Sequence, residues 1–219
     1  MLASVIVTVL LKLSSGNLDE AQAQRHAAAV AVAAESSGLN DLLAAMLPAD
    51  DMLTGEELLL GIARPESHFD RQAISRKQCS GTGADRKCVR KAGVWRSHKK
   101  PKGAKGSYFC GIMQVGGNIT WQQCLKLVDD IELNYQTGAE EIMTWLKVSH
   151  CRKRKGEQRL KCALIGYGGG YKGLGCTWKK GEKMKCPATL PNKKYPRKVL
   201  RWARYVRTLR THAESGGNV

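Results

Sequence analysis

All eight cysteines of this 219-residue chain fall between Cys79 and Cys186, in four couples close in sequence: Cys79 with Cys88, Cys110 with Cys124, Cys151 with Cys162, and Cys176 with Cys186. Lysine, arginine and glycine flank them. No Cys-x-x-Cys occurs, and His26, His68, His98, His150 and His212 complete no zinc-finger spacing, so disulfides are expected in place of structural zinc. Bridges closing loops of about 10 to 15 residues would each contribute about 2 to 4 kcal/mol by restricting the unfolded chain. They would require an oxidising compartment. The sequence-local pairing is one of about 105 that eight cysteines allow. Neither a metal nor a cofactor is expected.

The clamped region is also the basic one. Residues 1–61 hold two basic and eight acidic side chains, net −6, which leaves +23 on residues 62–219. Such an excess seeks a polyanion, either nucleic acid or a bacterial wall carrying peptide carboxylates. The basic residues fall mainly in cysteine-clamped loops and not along one helix face, so nucleic acid is the weaker match.

Helical signals dominate the rest, and the expected fold class is all-α. Leu2–Leu13 is apolar but shorter than the roughly 20 residues of a membrane span. It lacks a basic residue before it and a small-x-small site after it, which gives a secretory signal little support; packing on the domain or on a partner is expected. Residues 19–37 form an alanine-rich helix with Asp19 and Glu20 at its start. Leu39 to Leu47 forms a second, stopped by Pro48. Thr54 and Glu57 make a capping box for a third helix, whose stripe Leu58, Leu59, Leu60 and Ile62 leads to Glu66. Residues 71–110 hold twelve basic residues, one acid (Asp85) and five glycines without apolar periodicity, and are expected to be a long loop. Helices are then expected from Asn118, over 129–147, over Leu160–Ile165, and from Pro196, with a glycine-rich loop at 166–175. The organisation read from this is a helical segment 1–38, a domain 39–211 with a basic insertion 71–110, and a polar tail 212–219.

Four motifs carry the chemistry. Glu66-Ser67 is followed by Phe69, at the place where an apolar stripe ends. A carboxyl set against apolar walls loses solvation for its charged form, which favours a proton donor near neutral pH. Gly111-Ile112-Met113-Gln114 follows the basic stretch, Asn134 precedes Gly138 by four on a helix, and Tyr167 opens the run to Gly170. In this order, over roughly residues 40–175, they resemble the lytic transglycosylase family of lysozyme-like, peptidoglycan-cleaving enzymes, itself similar to goose-type lysozymes. The family pattern is Glu-Ser with an aromatic two residues on, Gly-Leu-Met-Gln, an asparagine helix, and Ala-Tyr-Asn-x-Gly. This chain has isoleucine for leucine at 112, and Gly168 in place of the last asparagine.

The resemblance implies a lysozyme-like fold with long disulfide-clamped basic loops. It implies that Glu66 protonates the oxygen between N-acetylmuramic acid and N-acetylglucosamine and then acts as base. The muramyl C6 hydroxyl would attack the anomeric carbon, so proximity within one sugar replaces the second carboxylate of most glycosidases. Tyr167 would orient Glu66, Ser67 would support it, and Met113, Gln114 and Asn134 would bind the substrate, peptidoglycan glycan strands in the periplasm or wall. A hydrolytic muramidase using Asp70, Asp85, Asp129 or Asp130 is the competing chemistry. A subunit of a phage tail or injection apparatus, docked through the N-terminal segment and carried in a virion, is the competing context. The insertion after Glu66 is longer than the family's connector; Trp95 with Lys99, Lys100, Lys102 and Lys105, and Trp178 with Lys179, Lys180, Lys183 and Lys185, are expected to meet the wall.

Overall fold

The computed structural model describes residues 2–80, 87–93, 108–117, 119–177 and 184–215, with backbone alone at residues 2, 3, 75–80 and 87–93. Asp85, Trp95, Lys99, Lys100, Lys102, Lys105, Trp178, Lys179, Lys180 and Lys183 lie outside the described residues. The described chain is mostly helical: α1 (Leu2–Ser14), α2 (Glu20–Ser36), α3 (Leu39–Met46), α4 (Gly55–Ser67), α5 (Trp121–Asp129), α6 (Ile131–Lys147), α7 (Ser149–Arg152), α8 (Gly156–Gly173) and α9 (Lys194–Glu214). Capping boxes start three of them. The side chains of Asp19, Thr54 and Thr120 each accept the backbone N–H three residues on, and Gln22, Glu57 and Gln123 return the bond.

One large apolar core joins all of these helices except α7, running from Ile6, Val9 and Leu10 on α1 to Val206 and Leu209 on α9, and a smaller cluster of Cys151, Cys162, Ile165 and Leu174 packs α7 on α8. Residues 1–38 therefore share their core with the domain that follows. The centre of the core is α4, where Leu58, Leu59, Leu60 and Ile62 are completely buried. Burying each such side chain contributes about 1.5 to 3 kcal/mol. Glu57, buried at the start of α4, meets Arg210 at 3.0 Å, and Arg204 bridges Asp51 (2.6 Å) and Glu157 (2.9 Å). These contacts tie α9 across α4 and α8. Among the described residues no helix is long and apolar enough to cross a membrane.

Two expectations are corrected. The basic stretch 71–110 is not loop throughout: β1 (Ile74–Ser80) pairs antiparallel with β2 (Lys87–Gly93) and with β3 (Tyr108–Cys110), and β3 pairs with β4 (Val115–Gly116), in the order β2-β1-β3-β4. Alternating hydrophobicity marks a strand only where one face is buried. Over 75–80 and 87–93 only Val89 and Ala92 are apolar besides the cysteines, so the backbone ladder forms without that signal. The expected loop at 166–175 is largely helix as well. α8 runs through Gly166 to Gly173, broken by Gly170 at φ 59°, ψ −161°. Packing overrides the poor helical propensity of glycine there, because the Trp145 ring lies against Gly166.

Three of the local cysteine pairs are disulfides: Cys110–Cys124 joins β3 to α5, Cys151–Cys162 joins α7 to α8, and Cys176–Cys186 closes the segment before α9. Cys79 and Cys88 stand directly opposite in the β1–β2 register, and their side chains lie outside the described residues. The bridges are compatible with an extracellular or periplasmic location.

Candidate active site

Glu66 sits half-buried in the last turn of α4, directly above the buried Ile62 and Ala63. Ser67 beside it is also half-buried and donates its hydroxyl to the Ala63 carbonyl at 3.4 Å. The helix then ends abruptly. His68 caps it in the left-handed region (φ 56°), its N–H donating to the Arg64 carbonyl, and Phe69 follows with φ 66°. Of the four described non-glycine residues with positive φ, three are His68, Phe69 and Gln114 (φ 49°). Left-handed backbone costs such residues on the order of 1 to 3 kcal/mol and persists where surrounding contacts impose it.

Contacts tie the segment that follows Glu66 to the other three motifs. The Gly111 N–H donates to the Ala73 carbonyl at 2.8 Å, and Gln114 Nε2 donates to the same carbonyl at 2.7 Å and to that of Gly111 at 2.9 Å. The chain leaving Glu66 is thus stitched to the turn Gly111–Gln114. Asn134 on α6 holds that turn from behind: Met113 N–H donates to its Oδ1 at 2.8 Å, and its Nδ2 donates to the Cys110 carbonyl at 3.0 Å. Gly111 takes φ 71°, and a Cβ there would collide with the Asn134 amide, so glycine is required on both counts. From the other side, Tyr167 on α8 donates its hydroxyl to the Met113 carbonyl at 2.6 Å. Met113 itself packs against Gly138, where a Cβ would come within 2.8 Å of its Cε.

This arrangement revises the expected roles. Met113 and Asn134 are completely buried and Gln114 is 5% exposed, so direct sugar contact through these three side chains does not fit the structure. Their polar groups hold the turn together. Glu66, Ser67 and Tyr167 retain partly exposed positions. Of the candidate second carboxylates, Asp70 accepts from the Gln72 N–H at 2.9 Å and Asp130 caps α6 through the Leu133 N–H at 2.9 Å, while Asp129 is exposed at the end of α5.

Two parts of the site were not legible in the sequence. His26 is 1% exposed and lies between Phe69 and Tyr135, with Nδ1 3.1 Å from the Tyr135 hydroxyl. Burial, and then the Arg71 charge, pull its pKa down to about 4, and burial raises that of Tyr135, so both are neutral at pH 7. The pair gives the strained Phe69 a rigid back wall; His68, by contrast, is exposed. The other part is Tyr195. Its ring lies on Gly168, where a Cβ would approach Cδ1 to 2.9 Å, and this accounts for glycine at the position where the family pattern has asparagine. An aromatic one residue before a helix-starting Pro196 was the available signal, but nothing in sequence spacing connects it to Tyr167.

No family model, no curated protein and no solved structure matches this chain.

Proposed function

We propose that this chain cleaves the β-1,4 bond between N-acetylmuramic acid and N-acetylglucosamine in peptidoglycan, as a lytic transglycosylase that leaves a 1,6-anhydromuramyl end and locally opens the wall. One observation carries the reading: residues from four separate parts of the sequence, at 66–73, 111–114, 134 and 167, converge on a single turn beside the end of α4. The 66–73 part through the Ala73 carbonyl, Asn134 and Tyr167 are each hydrogen-bonded to the 111–114 turn, and Glu66 opens the first of these parts.

In this mechanism Glu66 donates its proton to the glycosidic oxygen as the bond to the anomeric carbon breaks. The muramyl C6 oxygen closes on that carbon and returns its proton to the Glu66 carboxylate, which restores the acid. Tyr167 and Asn134 act through the backbone of the 111–114 turn, which they fix from two sides. Phe69, backed by His26, fixes the chain at the point where it leaves Glu66. Reaction would take place in the periplasm or cell wall.

Replacing Glu66 by Gln keeps the shape and removes the proton. Clearing of purified peptidoglycan, followed by turbidity, is expected to slow by about 10²- to 10⁴-fold, the usual contribution of general acid–base catalysis. Clearing at the wild-type rate would remove the proposal.

A further inference from the structure

A trough runs along the outside of the molecule between α8 and α9. It comprises two depressions of about 360 and 260 Å³ that share Lys161 and Arg197 as lining. Its walls carry five cations, Lys161, Lys193, Arg197, Arg201 and Arg204, against one carboxylate, Glu157. Glu157 is already held by Lys161 at 2.6 Å and by Arg204 at 2.9 Å, and Arg204 also holds Asp51. Lys193, Arg197 and Arg201 are exposed, and none is paired with a carboxylate among the described residues. Like charges held this close repel one another, and a bound anion relieves that repulsion. The rest of the lining is mainly aliphatic, with Leu200, Ile165, Leu190 and Pro196 beside the amides Gln158 and Asn192, and contains no aromatic ring.

The trough also points at the candidate active site. Gln158, Lys161 and Ile165 line it from α8 at helical spacing, and the next position on that face is Gly168, covered by Tyr195 and adjacent to Tyr167. From α9, the lining begins one residue after Tyr195, at Pro196 and Arg197.

We propose that this trough binds the carboxylates of the peptide branches of the glycan, taking the branch of a strand seated at Glu66. The inference rests on peptidoglycan being the substrate. A peptide branch brings carboxylates on a flexible, weakly apolar chain, which suits guanidinium forks over an aliphatic floor. Single-stranded nucleic acid suits it less, since such strands are generally held by bases stacked on aromatic rings.

The test uses the full chain with Arg197 and Arg201 both changed to Glu, alongside a milder Arg197→Gln/Arg201→Gln variant. Both residues are exposed, and circular dichroism checks the fold of each. Sedimentation with intact peptidoglycan and with glycan stripped of its peptides by an amidase reads the binding, in a salt series, with Glu66→Gln in every protein to prevent cleavage. Wild-type trough residues are expected to bind intact peptidoglycan at least tenfold more tightly than stripped glycan. The double Glu variant is expected to bind both alike, at the stripped level, and the Gln variant to fall between. Equal binding of intact and stripped glycan by the wild-type trough, or undiminished binding by the double Glu variant, would overturn the proposal while leaving the cleavage reading intact. Binding of neither glycan would count against both, and the cleavage assay in the Glu66 background tells them apart. Tighter binding of a single-stranded oligonucleotide, lost in the double Glu variant, would replace the peptide assignment with a nucleic-acid one.

Discussion

Asn134 shows how a side chain can serve a site without reaching its surface. Both ends of its amide are spent on the backbone of Cys110 and Met113. Changing it to Ala leaves a buried N–H and a buried carbonyl without partners, and each such loss costs about 1 to 3 kcal/mol. Asn134→Ala is therefore expected to lower stability by about 2 to 5 kcal/mol in urea unfolding. Tyr167→Phe removes one bond, to the Met113 carbonyl, and should cost about 1 kcal/mol while slowing cleavage by more than that loss of stability explains. Equal wild-type activity in Tyr167→Phe would show that the position of the turn does not matter to the reaction. At this scale the sequence was informative about which residues belong together and silent about which of them face inward. Motif order placed Met113, Gln114, Asn134 and Tyr167 at one locus. It could not show that the first three are turned inward, because burial depends on neighbours supplied by α6 and β1 from elsewhere in the chain.

Between elements, the decisive contact is that of α9 on α8 at Gly168. The Tyr195 ring occupies the space a side chain would need, so introducing an asparagine by Gly168→Asn is expected to force the ring away and destabilise the protein, by about 1 to 3 kcal/mol as for other overpacked sites. In the Tyr195→Ala background the same change should cost less. A double-mutant cycle by thermal unfolding measures the coupling, and strictly additive effects would mean that the two residues do not meet. Helices with strong terminal signals were legible in advance, as the capping box at Thr54 and the acidic start at Asp19 and Glu20 show. The β1–β2 ribbon was not, since its strands are rich in charge and carry no alternating apolar pattern. Nor was the course of α8 through its glycines, which Trp145 imposes from α6.

For the molecule as a whole, the buried His26 links acidity to stability. Its ring titrates near pH 6.5 when unfolded and at about 4 in the fold, so the unfolded chain binds the extra proton first. The stability it contributes is complete above pH 6.5 and drains away as pH falls to about 4, amounting to about 3 kcal/mol. Glu57, whose carboxyl is raised by burial, acts in the opposite sense as pH falls through the carboxylate range. Asp51 and Glu157, held low chiefly by hydrogen bonds from Arg204 and Lys161 respectively, give up their contribution only below their ordinary pKa values. Melting temperatures between pH 7 and pH 5 are thus expected to fall in the native chain and to fall less steeply in His26→Gln, where His150, held low by burial and then by Arg154, still contributes; equal slopes would contradict the assignment. The same burial places His26 behind Phe69, so the region around Glu66 should be among the first to loosen in acid, visible as faster amide exchange at residues 68–73.

The account rests on Glu66 acting alone with the sugar's own hydroxyl, and the products of digestion test this most directly. Mass spectrometry of muropeptides released from purified peptidoglycan is expected to show 1,6-anhydromuramyl ends with the native chain and none above background with Glu66→Gln. Reducing ends that have taken up water, formed by the native chain in place of anhydro ends, would contradict it.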